Sequence, residues 1–148
     1  MRLTTRTNLA MRTLMYCAVN TGRNIRTSDV ALATNASENH LGQVINMLGQ
    51  KGFIETVRGR GGGIRLARDA KDITVGGVFR VFEAGVPFAE CFVETDCTCP
   101  LVSACRLKGA LGEALMAFYR SLDKITLESL VRDNSGLREL LSDERVLA

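Results

Sequence analysis

No apolar run in the 148 residues approaches the 18 needed for a helix to cross a bilayer, which excludes a membrane-spanning helix. The basic start, Met1-Arg2-Leu3-Thr4-Thr5-Arg6, is followed by a stretch that Asn8 and Arg12 interrupt, so no signal peptide is legible and the expected location is the cytoplasm. Histidine is nearly absent. His40 is the only one, so no carboxylate–histidine constellation for acid–base or nucleophilic catalysis can be assembled, and an enzyme is not expected. Wholesale disorder is excluded as well, because 46% hydrophobic and 24% charged residues can build one ordinary core without disulfides.

Acids are scarce in the front half. Residues 1–68 hold ten Lys/Arg against Asp29, Glu38 and Glu55, a balance of +7, whereas residues 69–148 hold nine bases against thirteen acids, a balance of −4. Fifteen of the nineteen bases are arginine, the side chain suited to bidentate phosphate and guanine contacts. On a chain of net charge +3 this asymmetry points to a local polyanion-binding face, with an unevenly charged solvated surface as the plain alternative.

Hydrophobic spacing predicts a mostly α fold with a small β-hairpin. Leu9, Ala10, Leu14, Cys17 and Ala18 mark a buried stripe and a first helix over about residues 7–20, stopped by Gly22. Thr27-Ser28-Asp29 opens a second helix that breaks at Thr34-Asn35-Ala36, and Ser37 caps a third. In that third helix Leu41, Val44, Ile45 and Leu48 fall at i, i+3, i+4 and i+7 and form a core face, with Gly52 as the stop. Two short helices joined by a tight break are a helix-turn-helix pattern. The second would present Glu38, Asn39, His40, Gln43 and Asn46 to solvent, residue types that read base edges from the N-terminal turns of a recognition helix. On helices alone, an amphipathic hairpin with a polar outer face satisfies the same pattern.

The following segment favours DNA binding. Phe53-Ile54-Glu55-Thr56-Val57 and Ile64-Arg65-Leu66-Ala67 read as short strands around Arg58-Gly59-Arg60-Gly61-Gly62-Gly63. This is a wing, a hairpin whose Arg58 and Arg60 enter a minor groove or clamp phosphates. A phosphate-binding loop fails on context, because no helix starts after Gly63 and no Lys-Ser/Thr follows. Beyond it a short helix over about residues 76–83 and a loop containing Pro87 and Pro100 are predicted. Leu107, Ala110, Leu111, Ala114, Leu115, Phe118 and Leu122 then mark an extended helix with more apolar face than a small winged domain covers. The same helix of a second subunit is the simplest cover, and docking within the chain is the alternative. Thr126 restarts a short helix over residues 127–131, and the polar tail from Asp133 is expected to be partly disordered. The expected organisation is a winged helix-turn-helix domain over 1–83, a cysteine-rich loop over 84–106, and a dimerisation helix with tail over 107–148.

Cys17 sits alone in an apolar pattern and reads as a core thiol. Cys91, Cys97, Cys99 and Cys105 are separated by five, one and five residues, and in a reducing cytoplasm such a cluster points to metal binding or redox sensing. Structural zinc sites bring ligands in as close pairs, often with histidine, and neither is present. Iron–sulfur loops tolerate wider gaps, and Pro100 after Cys99 is a habit of such loops. Zinc, a thiol switch and inert thiols stay open as alternatives.

Met1-Arg2-Leu3-Thr4 with Ala10-Met11-Arg12, the Arg58-Gly59-Arg60-Gly61-Gly62-Gly63-Ile64-Arg65-Leu66-Ala67 hairpin and Cys99-Pro100-Leu101-Val102-Ser103-Ala104-Cys105-Arg106-Leu107 together resemble the winged-helix iron–sulfur repressors of the NsrR, IscR and RirA type, over nearly the whole chain. Ser37-Glu38-Asn39-His40-Leu41 and Cys105-Arg106-Leu107-Lys108 look most like the nitric-oxide-sensing branch. The resemblance implies a homodimeric repressor of double-stranded operator DNA with an iron–sulfur cluster, 4Fe–4S in preference to 2Fe–2S, and nitric oxide as the signal. It maps the ligands onto Cys91, Cys99 and Cys105, with Cys97 as an alternative. The histidine ligand of one branch is absent, since Lys108 stands there. The fourth ligand, an aspartate of the other subunit in the nitric-oxide-sensing branch, is replaced by Asn8, so Asn8 of the partner subunit would bind weakly, or water or nothing would take that place. Asn8 and the seven-residue gap between Cys91 and Cys99 also resemble the iron-responsive branch, which makes an iron-responsive repressor the alternative reading, ahead of a zinc- or thiol-based module.

Overall fold

Thr4 starts the first helix: its hydroxyl accepts a hydrogen bond from the Thr7 amide (3.3 Å), satisfying one donor that a helix N-terminus leaves open, and α1 runs over Thr5–Val19. The chain is seen in a computed structural model that describes residues 3–142; Met1, Arg2 and residues 143–148 of the tail lie outside the described residues. α2 (Thr27–Thr34) begins after Arg26 without a side-chain cap and ends at Asn35, whose left-handed backbone (φ 51°) makes the tight break. Ser37 caps α3 (Glu38–Gln50) as expected, accepting from the His40 amide. Leu41, Val44, Ile45 and Leu48 are buried, and the Phe53 amide bonds the Leu48 carbonyl (3.0 Å) across Gly52 at φ 73°, a geometry that closes the helix end.

β1 (Ile54–Val57) and β2 (Gly63–Leu66) pair antiparallel, with Ile54 opposite Leu66 and Thr56 opposite Ile64. Buried Ile25, before α2, adds a third rung by exchanging two backbone hydrogen bonds with Ile64 (2.9 and 2.8 Å). A 3-10 turn at Ala70–Asp72 leads to α4 (Val75–Glu83), which Thr74 caps. The segment over 84–105 is a loop with one 3-10 turn at Glu90–Phe92, and α5 covers Arg106–Asp123. The fold is mostly helical with one hairpin.

α6 (Leu127–Val131) restarts at the Thr126 cap and is tied to the segment before α4 by Leu127 N–H to the Ile73 carbonyl (2.8 Å). Leu127 joins the core of the winged-helix side chains, and Val131 is buried as well. The tail is ordered over its described part, to Ser142. Instead of loosening after Asp133, the chain forms α7 (Ser135–Leu141), capped by Asn134, with Leu141 buried and its carbonyl accepting from the Asn20 side chain (2.8 Å). Docking onto α1 supplies the stability that so short a helix lacks on its own.

The α5 stripe is covered only in part. Phe118, Tyr119 and Leu122 pack toward α4 and the core, yet no residue of α5 is fully buried, and Leu107 and Met116 are 64% and 55% exposed. Gly76 lets α4 approach the end of α5, since a Cβ there would meet Asp123 Oδ1 at 2.1 Å. Arg80 clasps the Asp123 carboxylate with two donors and stacks on the Tyr119 ring. Among the described residues no helix is long and apolar enough to cross a membrane.

Candidate nucleic-acid interface and cysteine loop

On α3 the expected polar face is outward. Ser37, Glu38, Asn39, His40, Gln43 and Asn46 are all exposed. Asn39, Gln43, Asn46 and Gln50 fall at i, i+4, i+7 and i+11, so they form the centre of that face, opposite the buried leucines. His40 lies to one side, where it and Gln43 border a groove of about 580 Å³ formed with Thr4, Arg6, Phe82 and Val86. Asn46 and Gln50 are therefore at least as well placed as Glu38 and His40. Their helical spacing was already present in the sequence.

Arg58 and Arg60 are exposed at the hairpin tip, and neither makes a side-chain hydrogen bond or ion pair among the described residues. Positive φ at Gly59 (95°) and Gly61 (77°) turns the chain between them. The tip is held from outside the hairpin: the Asn24 side-chain amide donates to the Gly61 carbonyl (2.9 Å). That contact spans 37 residues and is not legible in sequence. The other hairpin arginines are engaged, Arg65 with Glu55 across the strands and Arg68 stacked on Phe53 while donating to the Gly52 carbonyl (3.1 Å).

A carboxylate joins the start of α1 to the end of α4. Glu83 accepts from the Thr4 amide and hydroxyl (both 3.0 Å) and from the Thr7 hydroxyl. Burial pushes its pKa up, but the three hydrogen bonds outweigh burial and hold it below the ordinary carboxylate value. Asn8, one turn further along α1, is exposed.

None of the cysteines is in a disulfide. Cys17 is the expected core thiol, 1% exposed, with its pKa pushed up to about 12 by burial. Cys91, Cys97, Cys99 and Cys105 are half-buried on the loop, and Cys105 is the N-cap residue of α5 with no side-chain cap bond of its own. The first turn of α5 has no acid but carries Arg106 and Lys108. Phe92 packs edge-on against Phe88 and lies where a Cβ on Gly112 would touch its ring, so the loop rests on α5. Two hydrogen bonds donated by Thr98, from its hydroxyl first and its backbone N–H second, hold the Glu90 carboxyl below its ordinary pKa. Among the described residues, no three His, Cys, Asp or Glu side chains converge at metal-ligand spacing, so Cys91, Cys99 and Cys105 share one loop without forming a closed ligand set. As donor chemistry, four free thiols beside a basic helix start fit an anionic iron–sulfur cluster.

An outward polar helix beside an arginine-tipped hairpin, both carried on one core, is the architecture of a winged helix-turn-helix DNA-binding protein. The chain belongs to the Rrf2 family, described as iron-dependent transcriptional regulators, whose model matches residues 3–133. It is similar to the HTH-type transcriptional regulator NsrR of Geobacillus kaustophilus, at 42% identity over 98% of this chain and 99% of that one. It is similar also to Protein aau3 of Rhizobium meliloti, at 43% identity over 97% and 94% of the two chains. Among solved structures it resembles T. potens IscR, with TM-score 0.74 and 25% identity over 92% and 90% of the two chains. The protein is a DNA-binding transcriptional regulator of the Rrf2 type.

Proposed function

We propose that the protein is a cytoplasmic, homodimeric repressor, without catalytic activity, that senses nitric oxide through an iron–sulfur cluster. Cys91, Cys99 and Cys105 would hold the cluster, 4Fe–4S in preference to 2Fe–2S, with Cys97 as an alternative and Asn8 of the partner subunit as a weak fourth ligand. Bound there, the cluster supplies iron that reacts with nitric oxide. The observation that carries this reading is the junction at Cys105, where a loop of free thiols runs directly into the N-terminus of α5. A helix N-terminus and the adjacent Arg106 and Lys108 favour negative charge at that point. Order in the loop therefore bears on α5, and α5 grips α4 through Arg80–Asp123 and Phe79–Phe118, while α4 packs on α1 and α1 on α3. Leu107, Ala110, Ala114 and Ala117 recur at three–four spacing and are exposed, a seam suited to the same helix of a second copy. A dimer would present two α3 helices to one operator.

The test is anaerobic purification, iron and sulfide analysis, and nitric oxide titration against operator binding. Iron with equimolar sulfide, and operator release on nitric oxide addition, are expected. Zinc without sulfide would point to the zinc or thiol module. A cluster that ignores nitric oxide but is lost to a chelator would point to the iron-responsive repressor, which Asn8 and the Cys91–Cys99 gap favour.

The two parts of the DNA surface have separate roles. Gln43→Ala is expected to weaken operator binding by roughly 1–3 kcal/mol while changing scrambled-duplex binding much less. Arg58→Ala and Arg60→Ala should weaken both duplexes and lower the salt slope by about 1 each. Parallel titrations over a salt series separate the two. Equal losses on both duplexes for Gln43→Ala would sink the base-reading role of α3.

A further inference from the structure

The outward face of α3 carries a glycine that the fold does not call for. Gly42 stands in the second turn of α3, within Glu38–Gln50, and is exposed. Its backbone is ordinary helix, not the left-handed conformation that favours glycine. A Cβ built there meets nothing within 4 Å among the described residues, in contrast to Gly76, where a Cβ runs into Asp123. Apart from proline, glycine is the poorest residue for a helix interior, because it has the most backbone freedom to lose. Most other side chains would fit at this position and strengthen α3. Neither packing nor backbone geometry within the chain therefore accounts for Gly42.

Its neighbours on the helix surface supply an external reason. Asn39 and Asn46 lie three residues before and four residues after Gly42, one turn to either side of it, and both are exposed. An asparagine amide sits one carbon nearer the backbone than a glutamine amide, so it pairs with an adenine edge only when the helix comes close. We infer that Gly42 is a positioning residue of the DNA interface: its missing side chain lets α3 seat deeply enough in the major groove for the amides of Asn39 and Asn46 to reach base edges. The inference rests on the base-reading role proposed for α3 above. A side chain at position 42 would stand between the two short amides and hold the helix off the bases. Gln43, with its longer reach, depends less on that seating. Close approach of backbone to a ligand is a use that only glycine serves, and the helix stability it forfeits is offset in the complex.

The experiment compares wild type, Gly42→Ala, Gly42→Leu, Asn46→Ala and the double variant Gly42→Leu with Asn46→Ala, each as the full chain purified anaerobically. The probes are a duplex that the wild type selects from a random-sequence pool and a scrambled counterpart. Alanine and leucine are both good helix formers, so α3 is kept, and Gly42→Ala should melt about 2–4 °C above wild type. Gly42→Leu should nevertheless bind the selected duplex about 10–100-fold more weakly, the worth of one or two amide–base contacts. Gly42→Ala should fall between it and wild type, and scrambled-duplex binding should change much less. Asn46→Ala should cost about tenfold on the selected duplex in wild type and add little to Gly42→Leu, in which the amide no longer reaches. A glycine of merely structural importance gives no such pairing of higher stability with lower affinity. A Gly42→Ala protein that melts below wild type, an unchanged affinity in Gly42→Leu, or an Asn46→Ala effect of the same size in both backgrounds would each overturn the positioning role alone. Equal losses on both duplexes for Gln43→Ala would overturn base reading by α3 and this role with it.

Discussion

Cys91→Ala, Cys99→Ala and Cys105→Ala are each expected to take up neither iron nor sulfide on anaerobic reconstitution, whereas Cys97→Ala loads close to wild type. The loss is expected because, Cys97 apart, the site has few substitutes. Cys17 is buried with its pKa pushed up to about 12, and His40, the only histidine, stands on α3. Loss of a ligand should therefore exceed the roughly 10–100-fold cost of removing an outer contact. Cys105 needs its own control, because it is also the N-cap of α5. Cys105→Ser removes the thiolate and supplies a good capping hydroxyl, worth about 1 kcal/mol. It should keep the helical circular dichroism of wild type and still fail to bind iron. Visible absorbance with iron and sulfide analysis reads all five variants. If Cys97→Ala is empty and Cys99→Ala is loaded, the ligands are Cys91, Cys97 and Cys105.

Gly63→Ala is expected to detach the wing from the domain. A Cβ at Gly63 would lie 2.4 Å from the Ile25 carbonyl oxygen and 2.8 Å from its carbon, and both are backbone atoms that no rotamer change can move. Relief requires the Ile25 and Ile64 backbones to part, giving up the two hydrogen bonds between them. Overpacking and lost hydrogen bonds together should cost about 2–3 kcal/mol, read as a lower urea midpoint. With the hairpin no longer fixed, Arg58 and Arg60 lose their common orientation, and DNA affinity should fall about tenfold, or ~1.4 kcal/mol. Gly61→Ala is the control. Its Cβ meets nothing within 4 Å, so only the positive φ is penalised. A Gly63→Ala protein with an unchanged urea midpoint would mean that the Ile25–Ile64 pairing does not hold the wing.

Two helix starts were legible because a local hydrogen bond decides them. Ser37 and Thr126 each accept from the amide three residues on, a contact that depends only on neighbours. The core face of α3 was legible for the same reason, since spacing alone sets which side chains share a helix face. The helix over 135–141 was not. Its residues are few, and it persists because Leu141 finds a buried place beside α1 and Asn20 takes its carbonyl. The coverage of α5 was legible only as an excess of apolar residues. Which of them α4 takes, Phe118 and Leu122, and which stay open, Leu107 and Met116, follows from the close approach at Gly76.

By itself the sequence determined the helix-turn-helix, the hairpin with its two arginines, the buried Cys17 and the presence of four loop thiols, because composition and periods of two to four residues carry that information. Only the tertiary structure decided how these parts are held. Asn24 on Gly61, Glu83 on Thr4 and Thr7, and Glu90 on Thr98 join residues 37, 79, 76 and 8 positions apart. No periodic pattern encodes such pairs, since each forms only after helices and strands have packed and brought a donor and an acceptor together.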